Sequence, residues 1–600
     1  MCHSQSTPTN STLPDSADSN SAHSGSAPRR SAIARFFRAP GFWLWLAFFI
    51  PTATVYHPRA GWNVNTRLAL VFALVDRGTL RIDDYHDLPP YDTGDKALHG
   101  GHVYSDKIIG LALLGIPPYA ALRLAMAVAG AEPAYHLAHA WTRLWAVSAL
   151  AALAGLLLWR MFRRLGIGER AAAGLSLAAF YGSLLFPYAT VFYPYLPGIF
   201  FCLLAWDRAE AWFGGNGGGL DAAEKAPAKT ENSAKGARSG WARAFAIGAM
   251  LGTALLMDYI FAMAVAAVGL RALWLWSRRG DESNNTQPDA PCILARVVAT
   301  AIGGAIPLAI FAAYCYAIFG KFTIPYEYEA DPLFRAAMAK GFMGVRHFQP
   351  AALYYLTIHP YRGLFFWSPL MLVALAGAAW MAWCGGKQRD PDCAGGRAAS
   401  SLERSAGAMA LAVLAAYLVF NASYWQWWGG WAMGPRFLLP AIPFLALGLA
   451  GAWKWGLGGR AAVVLAAALS MFTLLPPALS DPQTPMWFHK TEELLTPSVR
   501  DNLKPEQALQ WWLFWKGEGA PSLGTAMGMS GPFALVPALA LFASAVLLAL
   551  RGMEKSEGMP VDSSALEAVR SLARASVEEI KGAENPKDQR DKNDEKDPRG

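Results

Sequence analysis

Charge is scarce in this chain. Asp, Glu, Lys and Arg together make up 16% of its 600 residues, against roughly 25% in an ordinary soluble domain. That deficit argues against a water-soluble enzyme. Cysteine is scarce too. Cys2, Cys202, Cys292, Cys315, Cys384 and Cys393 lie scattered, and none forms a C-x-x-C pair. Neither a disulfide framework nor a zinc site is expected from them. No apolar segment precedes Cys2, so a lipoprotein signal is not expected, and the chain carries no nucleotide-binding motif.

Apolar residues are abundant instead: 54% of the chain is hydrophobic. They gather in runs of about 18 to 25, the length that spans a bilayer as a helix. The 24 tryptophans and 39 prolines fit the same picture, since tryptophan favours membrane interfaces and membrane helices tolerate proline. The fold class is therefore an all-α polytopic membrane protein. Its partner is the lipid bilayer, and the net charge of +8 points to lipid headgroups and cytoplasmic loops, not to nucleic acid.

Candidate spans lie at about 41–57, 108–129, 141–160, 171–189, 194–212, 243–257, 259–276, 294–319, 363–383, 407–424, 437–455, 460–478 and 532–550. Residues 1–38 are expected to be a disordered cytoplasmic N-terminus, 39–551 the membrane domain, and 552–600 a charged tail with an amphipathic helix near 562–582. Arg29, Arg30, Arg35 and Arg38 precede the first span, which places the N-terminus in the cytoplasm. The basic linkers 213–240, 277–291 and 384–405 fall on that side; the loops 58–107, 320–361 and 481–531 fall outside. Arg160, Arg163 and Arg164 conflict with this scheme if 108–129 is a full span. Pro117-Pro118 offers a re-entrant alternative, so the count is 12 or 13.

The first outer loop stands apart. It holds seven aspartates between Asp76 and Asp106, with His57, His86, His99 and His102 in or beside it. Val64, Leu68, Val71, Phe72 and Val75 recur at helical spacing, which predicts an interfacial helix ended by Gly78. Lys107, Arg362 and Arg436 each open a span at the outer level, where the orientation rule depletes cations. Such cations facing an acidic loop suit a lipid-linked phosphate: they hold it and stabilise it as a leaving group. Snorkelling anchors are the plainer reading of any one of them.

An aspartate would act as general base on an incoming hydroxyl. Asp83, Asp95 and Asp106 are the candidates, with Asp106 or Asp83 as the base and Asp95 and Arg67 positioning the group. His99 and His102 with Asp95 and Asp106 offer a divalent-metal alternative that matches no known spacing. Tyr326, Glu327, Tyr328 and Glu329 of the YEYE segment, with Trp427 and Trp428, are candidates for acceptor or sugar contacts, against a background role as interfacial aromatics and solvated surface.

At these residues the chain resembles the GT-C superfamily of membrane glycosyltransferases, of the protein O-mannosyltransferase and lipid A aminoarabinose transferase type. The likeness runs over about residues 40–480. SDKIIGL stands where those relatives carry a Lys-Pro-Pro-Leu-like motif, and Lys107 matches its lysine. AIFGKFTIPYEY, HPYRGLFFWSP and WWGGWAMGPRFLLP resemble a poorly characterised bacterial branch. The resemblance implies many spans, a large first extracytoplasmic loop with an essential acid, and a polyprenyl-phosphate sugar donor. It also implies transfer to a lipid, polysaccharide or protein acceptor of the cell envelope at the outer face of the cytoplasmic membrane. One departure matters: Asn63 and Asn65 occupy the place of the relatives' acidic pair, and asparagine is no carboxylate base. Two other classes stay open. A transporter or flippase of lipid-linked sugars would bury charges along the bundle, and Asp258 is the clearest acid within an apolar run. A non-catalytic assembly factor would keep the fold without the acid.

Overall fold

The computed structural model describes residues 39–57, 60–87, 89–214, 233–278, 290–385, 394–480, 482 and 522–557. The expectations for the N-terminal segment, the C-terminal tail and most of the linkers and the 481–531 loop lie outside the described residues. What is described is a helical bundle with one two-stranded sheet. By length and apolar composition, nine helices among the described residues can cross a membrane, and Pro40–Ala53 and Leu370–Cys384 are shorter apolar helices. Every expected span is met by helical structure. Three are interrupted: 171–189 divides into Glu169–Tyr181 and Leu185–Ala189, 363–383 into Leu364–Trp367 and Leu370–Cys384, and 437–455 into Arg436–Ala441, Ile442–Ala446 and Leu449–Trp453.

Interrupted backbone at membrane depth is stable only where protein, not lipid, surrounds it. That condition holds, because 83% of the Arg436–Trp453 segment is buried. Small residues let its neighbours close in. A Cβ on Gly448 would sit 2.0 Å from the Ala374 carbonyl oxygen, and one on Gly377 would sit 2.1 Å from that of Gly448.

The first helix, α1 (Pro40–Ala53), starts on a proline, whose missing N–H costs nothing at a helix start. It is followed by α2 (Trp62–Phe72), the strands β1 (Lys96–His99) and β2 (His102–Ser105), α3 (Gly110–Val128) and α4 (Tyr135–Arg164). The α4 helix runs back along α1. Its Tyr135 end lies by Tyr56, whose hydroxyl is 2.9 Å from His136 Nδ1. At its far end Trp159 reaches Gly41, near the start of α1. Buried Arg143 caps the end of α1 by donating to the carbonyls of Thr52 (2.6 Å) and Val55 (3.2 Å), the orphan acceptors of a helix C-terminus.

This pairing resolves the conflict over Arg160, Arg163 and Arg164, which come to the same side as the start of α1. If α1 and α4 both cross, the chain between them returns to the side it left, and α3 lies on that side although its length and composition would allow a crossing. Its contacts agree. The start of α3 follows Lys107, which pairs with Asp95. Toward its end, Tyr119 donates to Asp76 (2.8 Å) and Arg123 pairs with Asp76 (3.1 Å). Tyr135 then donates to Asn65 Oδ1 at 2.5 Å. Both ends of α3 are therefore fastened to the same loop.

The interfacial helix expected after the first span is α2 with the turn Ala73–Arg77, ended by Gly78; Val64, Leu68, Val71 and Phe72 of its stripe are buried and Val75 is half-buried. The opposite face is covered as well: nine of its eleven residues, Arg67 among them, are buried. It is an inner layer, held between α3 and β2. The last helix among the described residues, Val536–Glu557, packs along α1 and brings Gly552 beside Pro40.

Candidate functional site

Gly100 and Gly101 take φ of 58° and 81°, the left-handed pair that a two-residue hairpin turn demands. They join β1 to β2 in a register that pairs Lys96 with Ser105 and His99 with His102. The next positions along each strand are Asp95 and Asp106. A separation of eleven residues in sequence thus becomes a cross-strand juxtaposition, with Lys107 beside it.

Lys107 is buried, and its ammonium lies 2.9 Å from Asp95 Oδ2 and in short contact with Asp106 Oδ2. The ring of Tyr326 lies 5.3 Å from the ammonium. Burial alone would discharge the lysine, but Asp106 and Asp95 outweigh it and hold its pKa well above the usual value. Asp106 is sealed, and its Oδ1 has no hydrogen-bond donor among the described residues. Burial raises the Asp106 pKa against the pull of Lys107. Glu329, also buried, faces Asp106; burial and the Asp106 charge push its carboxyl well above the usual carboxylate range.

Around this cluster opens a cavity of about 1620 Å³. Asp95, Lys107, Arg67, Asp258, Glu329 and Arg436 line it, with Tyr193, Tyr195, Tyr326 and Trp428. Asn63 links two of these groups: it donates to Asp95 (3.4 Å) and accepts from Arg67 Nε (3.3 Å). Arg67 also donates to the Ile108 carbonyl (3.4 Å) and faces Asp258 at 3.6 Å. Arg436 has a buried Nε without a hydrogen-bond partner among the described residues and lies 5.8 Å from the Tyr193 ring. Gly429, at φ 77°, leaves room for it, since a Cβ there would meet the Arg436 side chain at 3.0 Å.

The structure therefore gathers Asp95, Arg67, Lys107, Arg436, Tyr326, Glu329 and Trp428 from the sequence candidates. The other candidates lie elsewhere. Asp83 accepts from His102 Nδ1 (2.8 Å) and the Val103 amide (2.7 Å) at the loop surface. Asp106 sits behind Lys107 and does not line the cavity. Arg362 is fully buried and donates to the carbonyls of Trp428 and Gly430, both at 2.8 Å. It thereby holds the wall of the cavity from behind. Trp427 stacks on Tyr355 in a separate apolar cluster. Glu327 is exposed beside Lys321. His99 packs against Tyr328 and Phe319. Among the described residues no three His, Cys, Asp or Glu side chains gather as metal ligands would.

Several lining residues escaped the sequence reading as site candidates. Asp258 lies in the turn after Ser233–Met257, where it accepts from the Ile260 amide (3.2 Å). Its position inside an apolar run was the signal. Glu329, by contrast, stands in the YEYE segment already read as an acceptor contact; what no local pattern announces is its bridge to Ala97 of β1. Tyr193 and Tyr195 stand in the aromatic FYPYLPG stretch before the Tyr195–Phe213 helix.

No protein-family model matches the chain, and no curated protein matches it. Among solved structures it is similar to ArnT from Cupriavidus metallidurans in the apo state, at 16% identity and a TM-score of 0.40, over 87% of this chain and 77% of that one. The same protein bound to undecaprenyl phosphate matches at 14% identity and a TM-score of 0.39 over the same shares. The oligosaccharyltransferase AglB from Archaeoglobus fulgidus, in complex with an inhibitory peptide and a dolichol-phosphate, matches at 12% identity and a TM-score of 0.37, over 80% of this chain and 60% of that one. At such values the reading of the site rests on its own geometry.

Proposed function

We propose that the protein is an integral membrane glycosyltransferase that moves a sugar from a polyprenyl-phosphate donor to a hydroxyl-bearing acceptor of the cell envelope, at the outer face of the cytoplasmic membrane. One observation carries this reading: Arg67, Lys107 and Arg436 line a single cavity with a partly exposed carboxylate, Asp95, among them.

The chemistry follows from that arrangement. Arg436, which has no carboxylate partner among the described residues, and Lys107 take the donor phosphate. Lys107 turns from Asp95 to the phosphate as it does so. The change leaves Asp95 without its lysine partner, next to the space where an acceptor hydroxyl enters. The hydroxyl gives its proton to Asp95, its oxygen bonds to the anomeric carbon, and the bond to the phosphate oxygen breaks. The leaving phosphate keeps the electron pair, stabilised by the same cations. Asp95 is preferred to Asp106, which is sealed, and to Asp83, which lies outside the cavity. Asn63 keeps a role in this scheme by tying Asp95 to Arg67.

Asp258 bears on the transport reading. It sits at the end of a helix, paired with Arg67, and not midway along the bundle as a transport pathway favours. A donor-consumption assay tests the proposal, with purified protein in lipid, a panel of polyprenyl-phosphate sugars and an envelope extract as acceptor. The expected result is release of polyprenyl phosphate, reduced about 10²–10⁴-fold in Asp95→Asn. Release that is unchanged in a folded Asp95→Asn variant refutes the assigned base. No turnover across the panel refutes the transferase.

A further inference from the structure

Three carboxyl groups surround the Lys107 ammonium: Asp95, Asp106 and Glu329. They do not face it equally. Asp95 opens to the cavity with 28% of its side chain exposed, whereas the Asp106 side chain is completely covered. One oxygen of Asp106 binds the lysine, and the other has no donor among the described residues. A buried carboxylate oxygen without a donor is costly. The Glu329 carboxyl is buried on the same side of the hairpin end and faces Asp106, so that in its protonated form it can supply the missing donor. Two carboxylates cannot share such a space, but a carboxylate and a carboxylic acid can, with one proton between them.

The backbone fixes this meeting. Glu329 is bridged to Ala97 on β1, and the Ala330 amide donates to the Lys96 carbonyl at 2.8 Å. Arg335 holds the Glu329 carbonyl oxygen at 3.2 Å, leaving the side chain free to point at the hairpin end. Tyr326, from the same turn, lies against Lys107.

We propose that Glu329 is a positioning residue for Lys107: its carboxyl carries the proton that satisfies Asp106 Oδ1, so that the lysine faces two carboxylates and not three. The consequence is electrostatic. With Glu329 neutral, Asp106 anchors the lysine from behind and Asp95 is the only carboxylate that an incoming phosphate must displace. With Glu329 ionised, a third negative charge holds the lysine back and repels the phosphate. The effect falls on donor binding and not on the chemical step. In that respect the inference rests on the transferase reading; the protonation itself does not.

Two measurements test it. The first is infrared difference spectroscopy of the full-length protein in lipid, comparing neutral with alkaline pH and requiring no substrate. The wild type is expected to show the carbonyl stretch of a buried carboxylic acid at neutral pH, lost at alkaline pH and missing in Glu329→Gln. Absence of that band from the wild type, or its persistence in Glu329→Gln, overturns the proposal whether or not the protein is a transferase. The second is the pH dependence of donor KM and kcat. Gln supplies the same hydrogen bond without a proton to lose. Glu329→Gln is therefore expected to keep neutral-pH turnover within about threefold of wild type and to abolish the alkaline rise in KM, while Glu329→Ala raises KM at every pH. Loss of neutral-pH turnover in a folded Glu329→Gln variant means that Glu329 acts as an anion, and overturns the assignment.

Discussion

Arg362 offers a decisive contrast between two roles. The sequence places it at the mouth of a span, where it reads as a phosphate ligand. The structure places it behind the cavity wall, fully buried, with its guanidinium 4.1 Å from the Tyr361 ring and bonded to the Trp428 and Gly430 carbonyls at 2.8 Å. Arg362→Met keeps much of the apolar stem but strands both carbonyls in a buried turn. Each stranded acceptor costs about 1–3 kcal/mol, so the loss of folding stability is expected to be about 2–6 kcal/mol. Arg362→Lys reaches one carbonyl but not both, because an ammonium lacks the planar fork, and is expected to fall between. Unfolding in mixed micelles gives the stability, and donor KM in the same preparations gives the binding. The structure predicts that stability falls with each substitution and that KM rises only as far as the Trp428–Gly430 turn loosens. If both variants unfold like wild type while donor KM rises tenfold or more, Arg362 touches the donor and the structural role is refuted.

Lys107→Met removes the one cation bonded to Asp106 among the described residues and is expected to abolish turnover and to cost about 3–5 kcal/mol, as breaking a buried ion pair does. Thermal unfolding checks this, since the loss should shrink at lower pH and in the double variant with Asp106→Asn. A one-sided α3 predicts that cysteines placed at Asp84 and Glu132 react with an impermeant thiol reagent from one face of sealed vesicles, and one at Gly168 only from the other. Labelling of Asp84 and Glu132 from opposite faces would show that α3 crosses. Burial pushes the Asp83 carboxyl up, but the Val103 amide and His102 outweigh it and hold it below the ordinary range. The contact therefore stabilises the hairpin above about pH 4 and is lost as pH falls through the lower folded value. Exchange of the Val103 amide, corrected for its intrinsic rate, should quicken there in wild type and show no such step in Asp83→Asn.

The membrane character was legible because it resides in long apolar runs, and the helices follow those runs closely. The crossing count was not, because hydropathy reads length and not direction: α3 has the composition of a span and the contacts of a surface element. Lys107 and Arg436 were legible as cations out of place. Arg362 had the same signal and a different role, since a guanidinium that caps backbone carbonyls and one that faces a cavity look alike in a sequence. The meeting of Asp95 with Lys107 was encoded locally, in the Gly100-Gly101 pair between KALH and HVYS. Glu329 was legible only as part of YEYE; its place beside Lys107 was hidden, because its partner lies more than two hundred positions earlier in the chain.

The packing of Val536–Glu557 against α1 has a consequence for how the molecule is put together. Among the described residues, the flank of α1 that this helix covers finds its partner far later in the chain, so the contact forms only after the segments between have been made. Met553 and Ala549, which are buried, belong to that late contact, and a chain cut before them would leave the flank of α1 facing lipid.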